Sequence, residues 1–226
     1  METVLSVFIG GLVTIMTAMG IEYLRRPRLW FSIEKPPLDL PSPNEPSKMR
    51  RHLRVNLHNR PLPIAMRWMQ RAAALYCRGE ITFYHLDDGQ PVVDRAMPVR
   101  WVRTPEPVAS QIIDPADPTK PKFFIVDFGK PVTESRIDVY PGEEEMLDIA
   151  VRFEGESDCF GWNNESYIHN WRNAKWKLLR GRYLVKVVIS SSGEKCVGVF
   201  RLVNDVEQQD GFRLLPATAE ERAKVR

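Results

Sequence analysis

The residues of this chain best suited to chemistry lie in one aromatic and basic stretch, Gly161 to Lys177. It holds Trp162, Tyr167, Trp171, Arg172, Lys175 and Trp176, with Asn163, Asn164, His169 and Asn170 between them. Aromatic faces stack on planar groups, while Arg and Lys hold phosphates. The set is therefore a candidate binding site for a nucleotide-like anion or for an acidic strip on a protein partner. A plainer reading competes with it: Trp171 and Trp176 plug the open end of a β domain, and the cations solvate that end.

Other chemistry is hard to assemble. The four histidines, His52, His58, His85 and His169, are scattered. His52 and His58 share a strand face but lie about 20 Å apart, too far to share a metal, and they are expected to face solvent. Glu143, Glu144 and Glu145 follow a turn and read as a solvated corner. The sequence has no GxSxG, HExxH, P-loop or GxGxxG pattern. No catalytic residue, metal ligand or cofactor is assigned, and the chain is expected to act by binding, with no catalysis of its own.

The elements that would position these residues are mostly strands. His52 to Asn59 alternates, with Leu53, Val55 and Leu57 on one face and His52, Arg54, Asn56 and His58 on the other. Glu80 to Leu86 alternates again, Phe123 to Phe128 reads as a strand apolar on both faces, and Glu145 to Phe153 follows the Pro141-Gly142 turn. Gly181 to Ser190 and Cys196 to Asn204, joined by a short turn with Gly193, form the clearest hairpin. A last strand is expected near Phe212 to Leu214. Many short strands with turn-rich connections predict a mainly β fold, an antiparallel sandwich.

Ahead of these strands stands a different solvent environment. Val4 to Ile21 is a run of 18 residues without a charge. As a helix it covers about 27 Å, close to the apolar thickness of a bilayer. A cleaved signal would want a positive n-region, yet only Glu2 and the amine precede the run. Arg25, Arg26 and Arg28 follow it, so the positive-inside rule places the N-terminus outside and the large domain in the cytoplasm, at the inner (cell) membrane. Tyr23 and Trp30 sit where interfacial aromatics are common. Ser6, Gly10, Thr14 and Ala18 recur every four residues, a stripe that lets membrane helices approach closely, so a homo-oligomer through the span is expected.

The expected organisation is a transmembrane helix at 1–24, a proline-rich juxtamembrane linker at 25–49, a β-sandwich at 50–216 and a charged tail at 217–226. Within the linker, Lys35 to Lys48 carries five prolines and reads as extended or edge-hugging. The net charge of +3 is modest, and no duplex nucleic acid is expected as a partner. Charge is nonetheless segregated: Ser47 to Gly79 holds eight cations and no acid, while acids dominate Asp127 to Asp158. The basic run lies close enough to the span to meet anionic lipid. Three cysteines, Cys77, Cys159 and Cys196, without metal-type spacing fit free thiols in a reducing compartment.

Two stretches resemble CARDB-like and other immunoglobulin-like modules: LRVNLHN at Leu53 to Asn59 leading to Ala74 to Cys77, and LLRGRYLVKVVISSSGEKCVGVFRLVN at Leu178 to Asn204. The resemblance implies an immunoglobulin-like fold for interaction or ligand binding, and it carries over no catalytic residue. Ala65 to Arg71 is longer than the usual turn of such modules. The first functional expectation is thus a membrane-anchored, oligomerising sensor or interaction protein. The alternative is a ligand-gated effector that disrupts the membrane, similar in layout to small prokaryotic transmembrane effectors of nucleotide-signalled antiviral defence.

Overall fold

The computed structural model describes residues 2–43, 45, 47–66, 68–106, 108–114, 117–126, 136–192, 194–205 and 208–225, with side chains from Phe8 onward and outside 107–135. It opens with helix α1 (Glu2–Arg25), followed by β1 (Leu29–Ile33), β2 (Leu38–Pro41), β3 (Met49–Asn59) and β4 (Ala74–His85). Next come β5 (Met97–Pro98), β6 (Arg100–Trp101), β7 (Val108–Asp114), β8 (Asp117–Val126) and β9 (Ile137–Val139). The chain continues through β10 (Glu144–Phe153), β11 (Cys159–Gly161), β12 (Lys177–Leu178), β13 (Gly181–Ser190), β14 (Lys195–Asn204) and β15 (Arg213–Pro216). It ends in the short helix α2 (Ala219–Lys224), started by a Thr218–Glu221 capping box.

The protein is mainly β. One sheet runs β1-β3-β10-β11-β12, with β2 sharing the outer edge of β3 and β6 that of β10; the other runs β15-β14-β13-β4-β5, with β9 on β4. Every pairing between these strands is antiparallel. The apolar alternation dictates how the sheets meet. Leu53, Val55 and Leu57 of β3 and Leu147 and Ile149 of β10 enter one core with Ile81 and Phe83 of β4 and Val185, Val187 and Ile189 of β13. The expected hairpin is β13–β14, in register from Gly181↔Asn204 to Ser190↔Lys195.

Two differences from the sequence reading have local causes, and one expected strand proves longer. The span 25–49, expected as a linker, contributes β1 and β2, both hydrogen-bonded to β3, because prolines are tolerated on edge strands. The strand expected over Phe123 to Phe128 is present at 123–126 as part of β8, which pairs with β7 in a two-stranded hairpin; residues 127 and 128 lie outside the described residues. Finally, a register shift between Asp148 and Ala150 changes the parity of β10. Leu147 before it, Ile149 within it and Ala150 after it join the main core, whereas Val151 and Phe153 beyond join a second cluster with Phe160, Trp162, Tyr167 and Trp171.

The sheets approach closely where β1 meets β14. A Cβ built on Gly198 would sit 2.6 Å from Cδ2 of Phe31 and 3.0 Å from the Phe200 ring. Gly198→Ala is therefore expected to destabilise the domain by about 1–3 kcal/mol through overpacking, read as a lower urea midpoint at unchanged slope.

Candidate functional site

Helix α1 has no Pro inside it and ends before Pro27, as backbone sterics require. Over Phe8–Arg25 none of its residues is buried against the rest of the chain. A Cβ on Gly10, Gly11 or Gly20 would meet nothing within 4 Å. The stripe residues Gly10, Thr14 and Ala18 are exposed; Ser6 lies on the helix, but its side chain is outside the described residues. The Thr14 hydroxyl donates to the Gly10 carbonyl (2.9 Å) and that of Thr17 to Val13 (2.8 Å), so both bond within their own helix.

The base of the helix is fastened. Carbonyls at a helix C-terminus lack helical partners, and here the β domain supplies them. The Arg25 carbonyl accepts from the Ala72 amide (2.6 Å), and that of Arg26 from the Arg71 guanidinium (2.5 Å). Arg28 then bonds through its amide to Asn59 Oδ1 (3.2 Å) and through its carbonyl to the Arg60 amide (2.9 Å). The side chains of Arg25 and Arg26 themselves are exposed.

The polar face of β3 holds charge in the interior. Register places Arg54 opposite Asp148. Asp148 Oδ1 accepts from Arg54 Nε at 2.7 Å and Oδ2 from Arg100 Nη1 at 2.8 Å, with His52 Nδ1 3.7 Å away. Asp148 is 1% exposed, His52 3% and Arg100 4%. Burial pushes the Asp148 carboxyl up, but His52 and the guanidinium groups of Arg54 and Arg100 more than offset it and hold it below the usual carboxylate range. Burial also pushes His52 down, only partly opposed by Asp148. The expectation of a solvent-facing His52 is thus overturned, and Glu145, expected on a solvated corner, is buried with Arg103 Nη1 3.0 Å away.

The aromatic–basic stretch is what covers that face. Trp162 stands edge-on to His52 (5.0 Å), Tyr167 to Trp162 (5.3 Å) and Trp171 to Tyr167 (6.1 Å). The Arg100 guanidinium lies 5.4 Å from the Tyr167 ring centre. Trp176 belongs to the main core. Arg172 pairs with Glu156 (2.7 Å) and lies 3.9 Å from the Phe153 ring centre, while Lys175 pairs with Glu165 (3.3 Å) beside Trp176. Positive φ at Asn170 (52°) and Trp171 (61°) turns the chain back so that the Trp171 amide reaches the Ser166 carbonyl (2.8 Å). All four candidate rings are buried, so none presents a stacking face to a ligand. The reason is energetic: each large ring gains more by removal from water than by display.

A second constellation was not singled out from the sequence. Ser32 Oγ lies 2.7 Å from His58 Nε2, and His58 Nδ1 lies 3.5 Å from Glu144 Oε2, the order of a nucleophile, a base and an orienting carboxylate. The His58 ring stacks on Trp30 at 4.3 Å. The adjoining groove, about 440 Å³, is lined by Trp30, His58, Arg60, Gly142 and Glu143 among others, but not by Ser32. The row is a cross-strand ladder over β1, β3 and β10.

Among the described residues no group of three or more His, Cys, Asp or Glu could hold a metal. Cys77, Cys159 and Cys196 are free and buried. No family model, curated protein or solved structure matches the chain.

Proposed function

We propose that this chain is a single-pass protein of the inner (cell) membrane whose β domain, immunoglobulin-like in fold, lies in the cytoplasm and acts by binding, without catalysis of its own. The observation that carries this reading is α1: a helix long and apolar enough to span a bilayer, with none of its window from Phe8 to Arg25 buried by the domain. A core helix would hide one face. The orientation rests on Arg25, Arg26 and Arg28 after the helix, and the buried free thiols agree with a reducing compartment. Self-association is assigned to the stripe of Ser6, Gly10, Thr14 and Ala18, which leaves backbone open to a second helix.

The test is direct. Full-length protein expressed in bacterial membranes should resist alkaline carbonate extraction, its β domain should be digested only from the cytoplasmic side, and its mass in mild detergent should exceed that of one chain. Release by carbonate would overturn the anchor. Digestion from the opposite side would reverse the topology, and a monomer would remove the oligomer.

A further inference from the structure

We propose that the β domain carries a second membrane contact, a loop between Arg60 and Ala72 that inserts Ile64 and Trp68 into the bilayer interface beside the base of α1. The inference rests on the membrane reading of α1. Its first support is placement. The amide of Arg60 bonds to the Arg28 carbonyl (2.9 Å) at one end of the loop, and the amide of Ala72 bonds to the Arg25 carbonyl (2.6 Å) at the other. The loop therefore leaves and returns at the junction of helix and domain, where the surface of a bilayer spanned by α1 must lie.

Its second support is what the loop displays. Ile64 is 79% and Trp68 77% exposed, although both are side chains that folding ordinarily buries. They are not on a loose strand of chain: a 3-10 turn spans Ile64–Met66, closed by Met66 N to the Pro63 carbonyl (2.8 Å) and extended by Met69 N to the Met66 carbonyl (2.9 Å). Large apolar side chains held outward by a folded turn mark an interaction surface.

Charge and aromatic composition choose the partner. Ser47 to Gly79 contains no acid. Exposed Arg25, Arg26, Arg28 and Arg60 surround the junction, and Tyr23, Tyr76 and Tyr140 are also exposed. Trp and Tyr with neighbouring Arg are the composition of a membrane–water interface, where cations meet anionic headgroups. A partner protein could use the same rings, but it would have to fit between the domain and the lipid. The bilayer is the occupant already there.

The test uses the full chain in vesicles of phosphatidylcholine with and without phosphatidylglycerol. A single environment-sensitive fluorophore is attached through Ile64→Cys. The native thiols are buried, which pushes Cys77 up to about 11 and Cys196 up to about 12, so they do not compete for label. Asp88→Cys serves as the control: it follows the far end of β4, about 40 Å of strand from the loop. The expected result is blue-shifted emission at position 64, quenched by spin labels on the lipid and stronger with phosphatidylglycerol, with water-like emission at position 88. Carbonate-resistant protein whose label at 64 is water-like would overturn the loop contact while leaving the anchor standing. Release by carbonate would instead remove the anchor itself. Emission protected from water but quenched only by label on a second copy would reassign the patch to an interface between chains and likewise overturn the proposal.

Discussion

Asp148→Ala should cost the β domain about 3–5 kcal/mol, the range for breaking a buried ion pair from one side. Arg54 and Arg100 both direct a guanidinium nitrogen at this carboxylate, at 2.7 and 2.8 Å, and Arg100 spends its other branch on the Thr104 carbonyl at 2.9 Å. Removing the anion leaves two cations facing one another beneath the Trp162–Tyr167–Trp171 cover, with little water to screen them. Set against a total stability of about 5–15 kcal/mol, the loss leaves a marginal fold. Urea unfolding of the full chain in detergent, followed by tryptophan fluorescence, measures it. Adding Arg54→Met and Arg100→Met to the alanine variant should restore much of the loss, since an apolar replacement of the whole cluster removes the uncompensated charge. No recovery would show that the cluster holds the sheet by geometry as well as by charge.

The same cluster sets the acid limb. Asp148 is held below its unfolded value of about 3.9, so its contribution is complete above that pH and is lost as pH falls toward the folded value. His52 is held below its unfolded value of about 6.5, so unfolding takes up a proton and stability begins to fall as pH drops below that value. Both signs agree: the wild-type chain weakens with acid in two steps, an upper one from His52 and a lower one from Asp148. His52→Gln should remove the upper step. In Asp148→Asn the gap from wild type should narrow below about pH 4.

The second large effect concerns α1. Leu12→Arg together with Met16→Arg puts two cations on one face at mid-helix, each costing about 2.5–3.5 kcal/mol of insertion free energy. Each alone shifts membrane partitioning by about 100-fold, and the pair should empty the carbonate-resistant fraction. The urea midpoint of the β domain should not move, because Leu12 and Met16 are both exposed and neither packs against it. A fall in that midpoint would instead identify α1 as part of a soluble core.

How much of this was legible in the sequence depends on the range of the interaction. The β13–β14 hairpin was readable because its strands are adjacent in the chain and their pairing is set by one short turn. The alternation of Leu53, Val55 and Leu57 likewise marked one face of β3 for the core. It could not show that the other face is covered too, since the cover is residues 159–176, more than a hundred positions away. Trp171 and Trp176 were visible as either a ligand platform or a plug; composition is the same in both cases, and only burial separates them. Arg54 and Asp148 could have been matched only by guessing that β3 lies beside β10, in a chain with 29 acids to choose from.

The sequence by itself determined an apolar helix followed by arginines, a strand-rich remainder and one hairpin. Each of these is a sum over neighbouring residues: hydropathy along a helix, alternation along a strand, the chemistry of a turn. The tertiary structure alone decided that Leu38–Pro41 pairs at a sheet edge, that the aromatic stretch faces inward over a buried carboxylate, and that the helix base is fastened to a loop displaying Ile64 and Trp68. Those outcomes depend on which distant segments pair and which faces they cover, and such contacts leave no period in the sequence.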